Sequence, residues 1–164
     1  MNKNDGLSMT DQMFMQVGKA IKDGCELKAN MRIELFDKDG NLKEFREVHN
    51  TVTNDGHYGT MDLILAVPTY SKPNWMAVGT GSPSGTLLGA EVARVVLDSK
   101  TRLTNVLTMI CTFPAGTGTN ALTEAGIFDV VTPNTINMWL SGTFAVINKQ
   151  STDSLVITWT LTQN

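Results

Sequence analysis

Charge is the first thing this chain has little of. Asp, Glu, Lys and Arg make up 18% of its 164 residues, below the usual quarter. The 13 basic residues are scattered among 16 acidic ones, for a net charge of −3. No dense Lys/Arg run occurs, and nucleic-acid binders carry a basic patch or stripe. Direct binding of DNA or RNA is therefore not expected. Cysteine is scarce too. Cys25 and Cys111 stand far apart and neither belongs to a Cys-x-x-Cys pair, so zinc and thioredoxin-like chemistry have no support. Cys111 falls inside an apolar strand pattern and reads as a small buried hydrophobe; Cys25 follows a helix end and stays unassigned. The two histidines, His49 and His57, are eight residues apart across a turn. That spacing fits no common metal pair, and surface positions are expected for both. Long apolar runs are missing as well. The longest, "MDLILAVP" at 61–68, is too short to cross a bilayer, and "MNKNDGLSMTDQ" lacks the apolar stretch of a secretory signal. The expectation is a soluble chain, with no membrane partner, made in a reducing cytosol.

What is present points to β-structure. The hydrophobic fraction is 41%, and the length suits one domain with a single unstapled core. Thr, Asn, Gly and Ser supply most of the remaining polarity, the mark of strands separated by many turns. Residues 1–9 read as a polar arm. Met13, Phe14, Val17, Ala20 and Ile21 then recur at helical spacing and form one apolar stripe. Ser8 or Thr10 supplies a cap and Gly24 an end. Residues 1–30 thus form an arm with a short amphipathic helix, and 31–164 a β domain. Two destinations remain open for the helix, its own domain or a neighbour. Met1, Met9, Met13 and Met15 crowd this region as adaptable contact residues.

Residues 31–48 read as a hairpin turning at Asp39-Gly40. Asp37-Lys38-Asp39-Gly40 lacks the further ligands, the closing Glu and the flanking helices of a calcium loop. Asn54-Asp55-Gly56 reads as a break, followed by a short helical face of Tyr58, Met61, Ile64 and Leu65. Strands are expected at 74–79, 91–98, 105–113, 125–131, 136–148 and 155–162. Helix is the alternative for 91–98, but its β-branched residues favour a strand. Residues 114–121 read as a loop, and Gly142 suggests a bulge. Short strands with frequent turns predict a mainly β, antiparallel β-sandwich, jelly-roll or Ig-like.

One stretch, "AVGTGSPSGTLLGAE" at 77–91, looks like a phosphate loop. A dinucleotide fingerprint needs G-x-G-x-x-G between a strand and a helix. Here Gly79, Gly81 and Gly85 are spaced G-x-G-x-x-x-G, Pro83 interrupts them, and no Lys-Ser or Lys-Thr pair follows. A connecting loop is expected, and no cofactor or metal. Glu124 and Asp129 have the look of a glycosidase carboxylate pair, against which stand solvated or capping roles. No nucleophile elbow is present.

Taken in order, several stretches resemble structural proteins of tailed-bacteriophage virions: "FDKDGNLKEFREVHNTVTNDG" (36–56), "MAVGTGSPSGTLLGAEVAR" (76–94), "TFPAG" (112–116), "LTEAGIFDV" (122–130) and "FAVINKQSTDSLVITWTLT" (144–162). The resemblance covers most of 31–164 and leaves out 1–30. It implies a non-enzymatic β-sandwich made in the host bacterial cytoplasm and assembled into the virion. An auxiliary (decoration) protein stabilising the capsid is the first expectation, with the major capsid protein or another virion protein as partner. A homo-oligomer, taken as a trimer, is also expected. Candidate assembly contacts, from the helical stripe outside the resemblance, are Met13, Phe14, Val17 and Ile21. The alternatives are a tail, baseplate or head-fibre component, a virion hydrolase acting through Glu124 and Asp129, and a carbohydrate-binding module. The last would stack sugars on Trp75, with Trp139 and Trp159 as further candidates.

Overall fold

A computed structural model describes residues 26–164. Strand β1 (Leu27–Phe36) turns into β2 (Leu42–Val52), and a short helix, α1 (Asn54–Asp62), follows. The remaining strands are β3 (Trp75–Gly79), β4 (Glu91–Val96), β5 (Ser99–Leu103), β6 (Val106–Phe113), β7 (Asn120–Phe128), β8 (Met138–Lys149) and β9 (Ser154–Gln163). All nine join one sheet in the order β4-β3-β7-β8-β2-β1-β9-β6-β5, with every neighbour antiparallel. The expected antiparallel, mainly β class is what the chain adopts. The first described strand begins at Leu27, four residues before the expected hairpin.

The core follows from alternation along the strands, since successive side chains point to opposite faces. In β1, β9 and β6 the register sets Met31, Trp159 and Met109 on one rung, Ile33, Ile157 and Cys111 on the next, and Leu35, Leu155 and Phe113 on a third. All nine side chains are buried. Met76, Ile127 and Leu140 form a matching rung across β3, β7 and β8, and belong to the same core. Two halves of the sheet therefore face one hydrophobic interior. They are continuous only where Thr51 and Val52 pair with Ser141 and Leu140. The sheet curls into a half-barrel. Its two edge strands, β4 and β5, are consecutive in sequence, and Leu97-Asp98 carries the chain from one to the other. The Leu97 N–H donates to the Asn74 carbonyl at 2.9 Å and the Asp98 N–H to the Ile110 carbonyl at 2.8 Å, which stitches the two ends together.

The β1–β2 turn is built as its sequence implies. Asp37 Oδ1 accepts from the N–H groups of Asp39 and Asn41, each at 2.9 Å. Gly40 takes φ +83°, a left-handed value that favours glycine. The carboxylate that suggested calcium is thus engaged in the turn. At the hairpin between β8 and β9, Lys149 is buried and donates to the carbonyls of Pro114 (3.0 Å) and Asp153 (2.7 Å). Lys43 pairs with the Asp153 carboxylate at 2.7 Å.

Four segments depart from the sequence reading. Asn54-Asp55-Gly56 is no break but the first turn of α1, because Thr53 caps it: its hydroxyl accepts from the Gly56 N–H at 3.0 Å. β7 starts at Asn120, so the expected loop at 114–121 is shorter. The bulge lies just beyond Gly142: Leu122 pairs with Ile147 and Glu124 with Thr143, so β8 carries extra residues between them. Gly142 itself makes room for Met31, whose methyl carbon would lie 2.8 Å from a Cβ there. β5 (Ser99–Leu103), an edge strand of mostly exposed residues, has no apolar alternation to announce it.

Candidate functional site

The glycine stretch does cradle an anion, and the anion belongs to the chain. Glu124, in β7, is fully buried. Its Oε1 accepts from the N–H groups of Gly81 (2.9 Å) and Ala90 (2.8 Å), and its Oε2 from that of Gly89 (2.9 Å). The neighbouring Thr123 hydroxyl donates to the Gly81 carbonyl at 2.9 Å. Converging backbone N–H groups are an anion nest, which is why the sequence looks like a phosphate loop. Close approach explains the glycines: a Cβ at Gly79 would lie 2.4 Å from Glu124 Oε1, and one at Gly89 would lie 2.3 Å from the Ser82 carbonyl. The loop is the expected connection, and "LTEAG" supplies its anchor.

Glu124 and Asp129 hold different segments. Roughly 15 Å of strand separates their Cα atoms, and the Glu124 carboxylate is taken up by the glycine loop. Asp129 serves a different segment: its Oδ2 accepts from the Ser71 N–H at 2.9 Å. Burial pushes its carboxyl above the ordinary range, only partly opposed by that bond and by the Asn137 amide. A second internal ion pair escapes the sequence reading. The Arg94 guanidinium grips Glu91 with two hydrogen bonds (2.9 and 2.8 Å), reaches the Val130 carbonyl (2.9 Å) and stacks 3.7 Å from the centre of the Phe128 ring. In a regular strand, residues three apart face opposite ways. A register shift between Val78 and Gly79 skips Val92, and so sets Glu91 and Arg94 side by side.

The aromatic candidates are packed. Trp139 and Trp159 are buried, and half-buried Trp75 packs against Ala77, Leu88, Phe128 and Met138. His49 and His57 are exposed, as expected, with His49 hydrogen-bonded to Asn30. Among the described residues no group of three or more His, Cys, Asp or Glu is placed to hold a metal ion, and no helix is long and apolar enough to cross a membrane. Burial pushes the Cys111 thiol up to about 12. Met13, Phe14, Val17 and Ile21 lie outside the described residues.

One stretch of the outer surface is apolar. α1 lies on β8 through Gly56 and Gly59: a Cβ at Gly56 would lie 2.1 Å from the Trp139 carbonyl, and one at Gly59 2.3 Å from the Trp139 ring. The helix thus turns its glycines inward and its large side chains out. Tyr58 and Met61, with Leu63, Ile64, Leu65 and Val67 in the turn beyond, are all exposed, Ile64 by 78% and Val67 by 85%. The face foreseen at Tyr58, Met61, Ile64 and Leu65 is real but looks outward. Its backbone is held in place. The N–H groups of Leu63, Ile64 and Leu65 donate to the carbonyls of Gly59, Met61 and Asp62 at 2.9–3.1 Å. Asp62 Oδ2 accepts from the N–H groups of Thr69 and Tyr70. The Tyr70 hydroxyl is bonded to Asp55 at 3.1 Å, and its ring meets Trp139 edge-on at 6.4 Å. Large exposed apolar patches mark interaction sites, and an ordered one loses less entropy on binding.

Comparison with family models, with curated proteins and with solved structures returns no match.

Proposed function

We propose that this chain is a non-enzymatic structural protein of a tailed-phage particle. It is an auxiliary subunit that binds the capsid through its surface and makes separation of shell subunits more costly. In this reading the two halves of the curled sheet act as the layers of a sandwich, and copies associate as a homo-oligomer, a trimer. The observation that carries the proposal is the ordered apolar face from Tyr58 to Val67. The buried polar chemistry adds support: Glu124, Glu91, Arg94 and Lys149 are all engaged in holding loops. A closed ring of identical subunits uses one such patch repeatedly, so each contact can be modest while overall retention is high.

The test is co-sedimentation of the purified chain with particles of a phage that encodes it. The native chain is expected to saturate a fixed number of sites. Ile64→Asp/Val67→Asp is expected to bind at least ~10-fold more weakly, because a charge on each partner-facing side chain must be desolvated. Equal binding by that variant, or no binding by the native chain, rules the proposal out.

A further inference from the structure

One end of the curled sheet holds a cavity of about 400 Å³, between the starts of β1 and β6 and the ends of β2 and β9. Its inner wall is core. Val52, Leu107, Trp139 and Leu161 line it, and Val52, Leu107 and Leu161 pack on the core yet remain only partly buried. Its rim is cationic. Lys72, Lys100 and Arg102 line it together with Gln163, and among the described residues no Asp or Glu does. The whole chain carries a net charge of −3, so this collection of one sign runs against the molecule's balance. We propose that the cavity binds a free fatty-acid carboxylate, with its acyl chain against the core wall and its anionic head at the three cations.

Strand register places two of those cations. In β5, Lys100 pairs with Met109 and Arg102 with Leu107. Residues directly opposite share a face, and Met109 is buried in the core while Leu107 packs on it. Lys100 and Arg102 thus stand on the core side of an edge strand, where β1, β6 and β9 carry apolar side chains. Both are exposed: their aliphatic stems can follow the wall while the charged ends reach water. Inward charge blunts a sheet edge against pairing whichever its sign; two cations facing a third select an anion. The Lys100 ammonium donates to the Pro73 carbonyl at 2.8 Å, which brings the segment holding Lys72 to the same rim. Arg102 Nη1 donates to the Thr104 carbonyl at 2.6 Å. Neither bond uses a carboxylate, and none of the three cations is in an ion pair among the described residues. An ammonium has three donors and a guanidinium five, so donors remain for a ligand. On the far side of the rim, Asn105 Nδ2 donates to the Gln163 carbonyl at 2.7 Å and ties the end of β9 to the β5–β6 turn. The wall selects an acyl chain, because apolar surface left to water costs roughly 25 cal/mol per Å². The volume lies at the lower end of the roughly 300–1,000 Å³ of small-molecule sites, which suits one chain rather than the paired chains of a bilayer lipid.

Calorimetric titration of the full chain with decanoate at neutral pH tests it. One saturable site per chain is expected. Decyltrimethylammonium, with the same chain and the opposite charge, is expected to bind at least ~10-fold more weakly. Lys100→Glu/Arg102→Glu, on an exposed edge, is expected to keep the native circular dichroism and to reverse that order. A decanoate analogue with a photoreactive diazirine on its chain is expected to label Leu107, Trp139 or Leu161 in peptide mapping. No saturable binding of decanoate by the native chain, as when another part of the chain already fills the cavity, overturns the proposal. So does equal affinity for the two amphiphiles, an unreversed order in the folded double variant, or label confined to Tyr58–Val67. The comparison of the two amphiphiles on the native chain needs no variant, and none of these readouts depends on particle binding.

Discussion

At the residue scale, Glu124 anchors the loop above it. Glu124→Ala leaves three N–H groups, those of Gly81, Gly89 and Ala90, without their acceptor. A loss of about 3 kcal/mol is expected in urea unfolding. Glu124→Gln, which keeps one acceptor oxygen, should fall between. An equally stable Glu124→Ala would show that the loop is held by other means. The pH dependence has two opposed contributors. Hydrogen bonds from Lys43 and the Gln150 N–H hold the Asp153 carboxyl below the ordinary range, against the effect of burial. A depressed native value means stability present above the unfolded pKa and lost as pH falls through the native one. Asp153→Asn should therefore destabilise the protein at neutral pH, by an amount that fades on acidification. Asp129 behaves in the opposite sense. Its raised value means that stability falls as pH rises above the unfolded carboxyl's pKa and through the native one. Asp129→Asn should remove that dependence and leave neutral-pH stability unchanged or higher. Denaturant midpoints measured from pH 3 to 7 check both.

At the scale of elements, the glycines of α1 set how close the helix sits to β8. A Cβ at Gly56 meets the Trp139 carbonyl, which is backbone and cannot swing aside. Gly56→Ala should cost about 3 kcal/mol in urea unfolding, whereas Ile64→Asp/Val67→Asp should change stability by within about 0.5 kcal/mol. If the surface pair destabilised more than the glycine change, the assigned orientation of α1 would be wrong. This is also where sequence reading reached its limit. The strands with apolar alternation were legible because burial on one face imposes a period of two. So was the Asp39-Gly40 turn, whose residue types suit its backbone. Tyr58, Met61, Ile64 and Leu65 also announced a face, but periodicity says that a stripe exists and not which side meets the core. That depended on two glycines fitting against Trp139, a contact between residues some eighty positions apart. The Glu91–Arg94 pair was hidden for a related reason: the skipped Val92 shows only once β3 and β4 are in register. β5 was missed because an exposed edge strand need not alternate. Glu124 and the glycine loop were each singled out by their chemistry, yet nothing along the chain joined one to the other.

At the scale of the molecule, polar chemistry is turned inward and apolar side chains outward along one ordered face. Here the buried carboxylates meet backbone N–H groups, an arginine and a lysine, and the buried Lys149 meets backbone carbonyls, which holds loops and hairpins together. The proposed role in a particle would require such rigidity, since every copy must present the same surface. The most direct test of that proposal is a density map of the assembled particle with this chain placed in it. The expected map has α1 and the turn through Val67 pressed against a neighbouring subunit. A particle map without the chain, or one in which that face meets only solvent, would contradict the account.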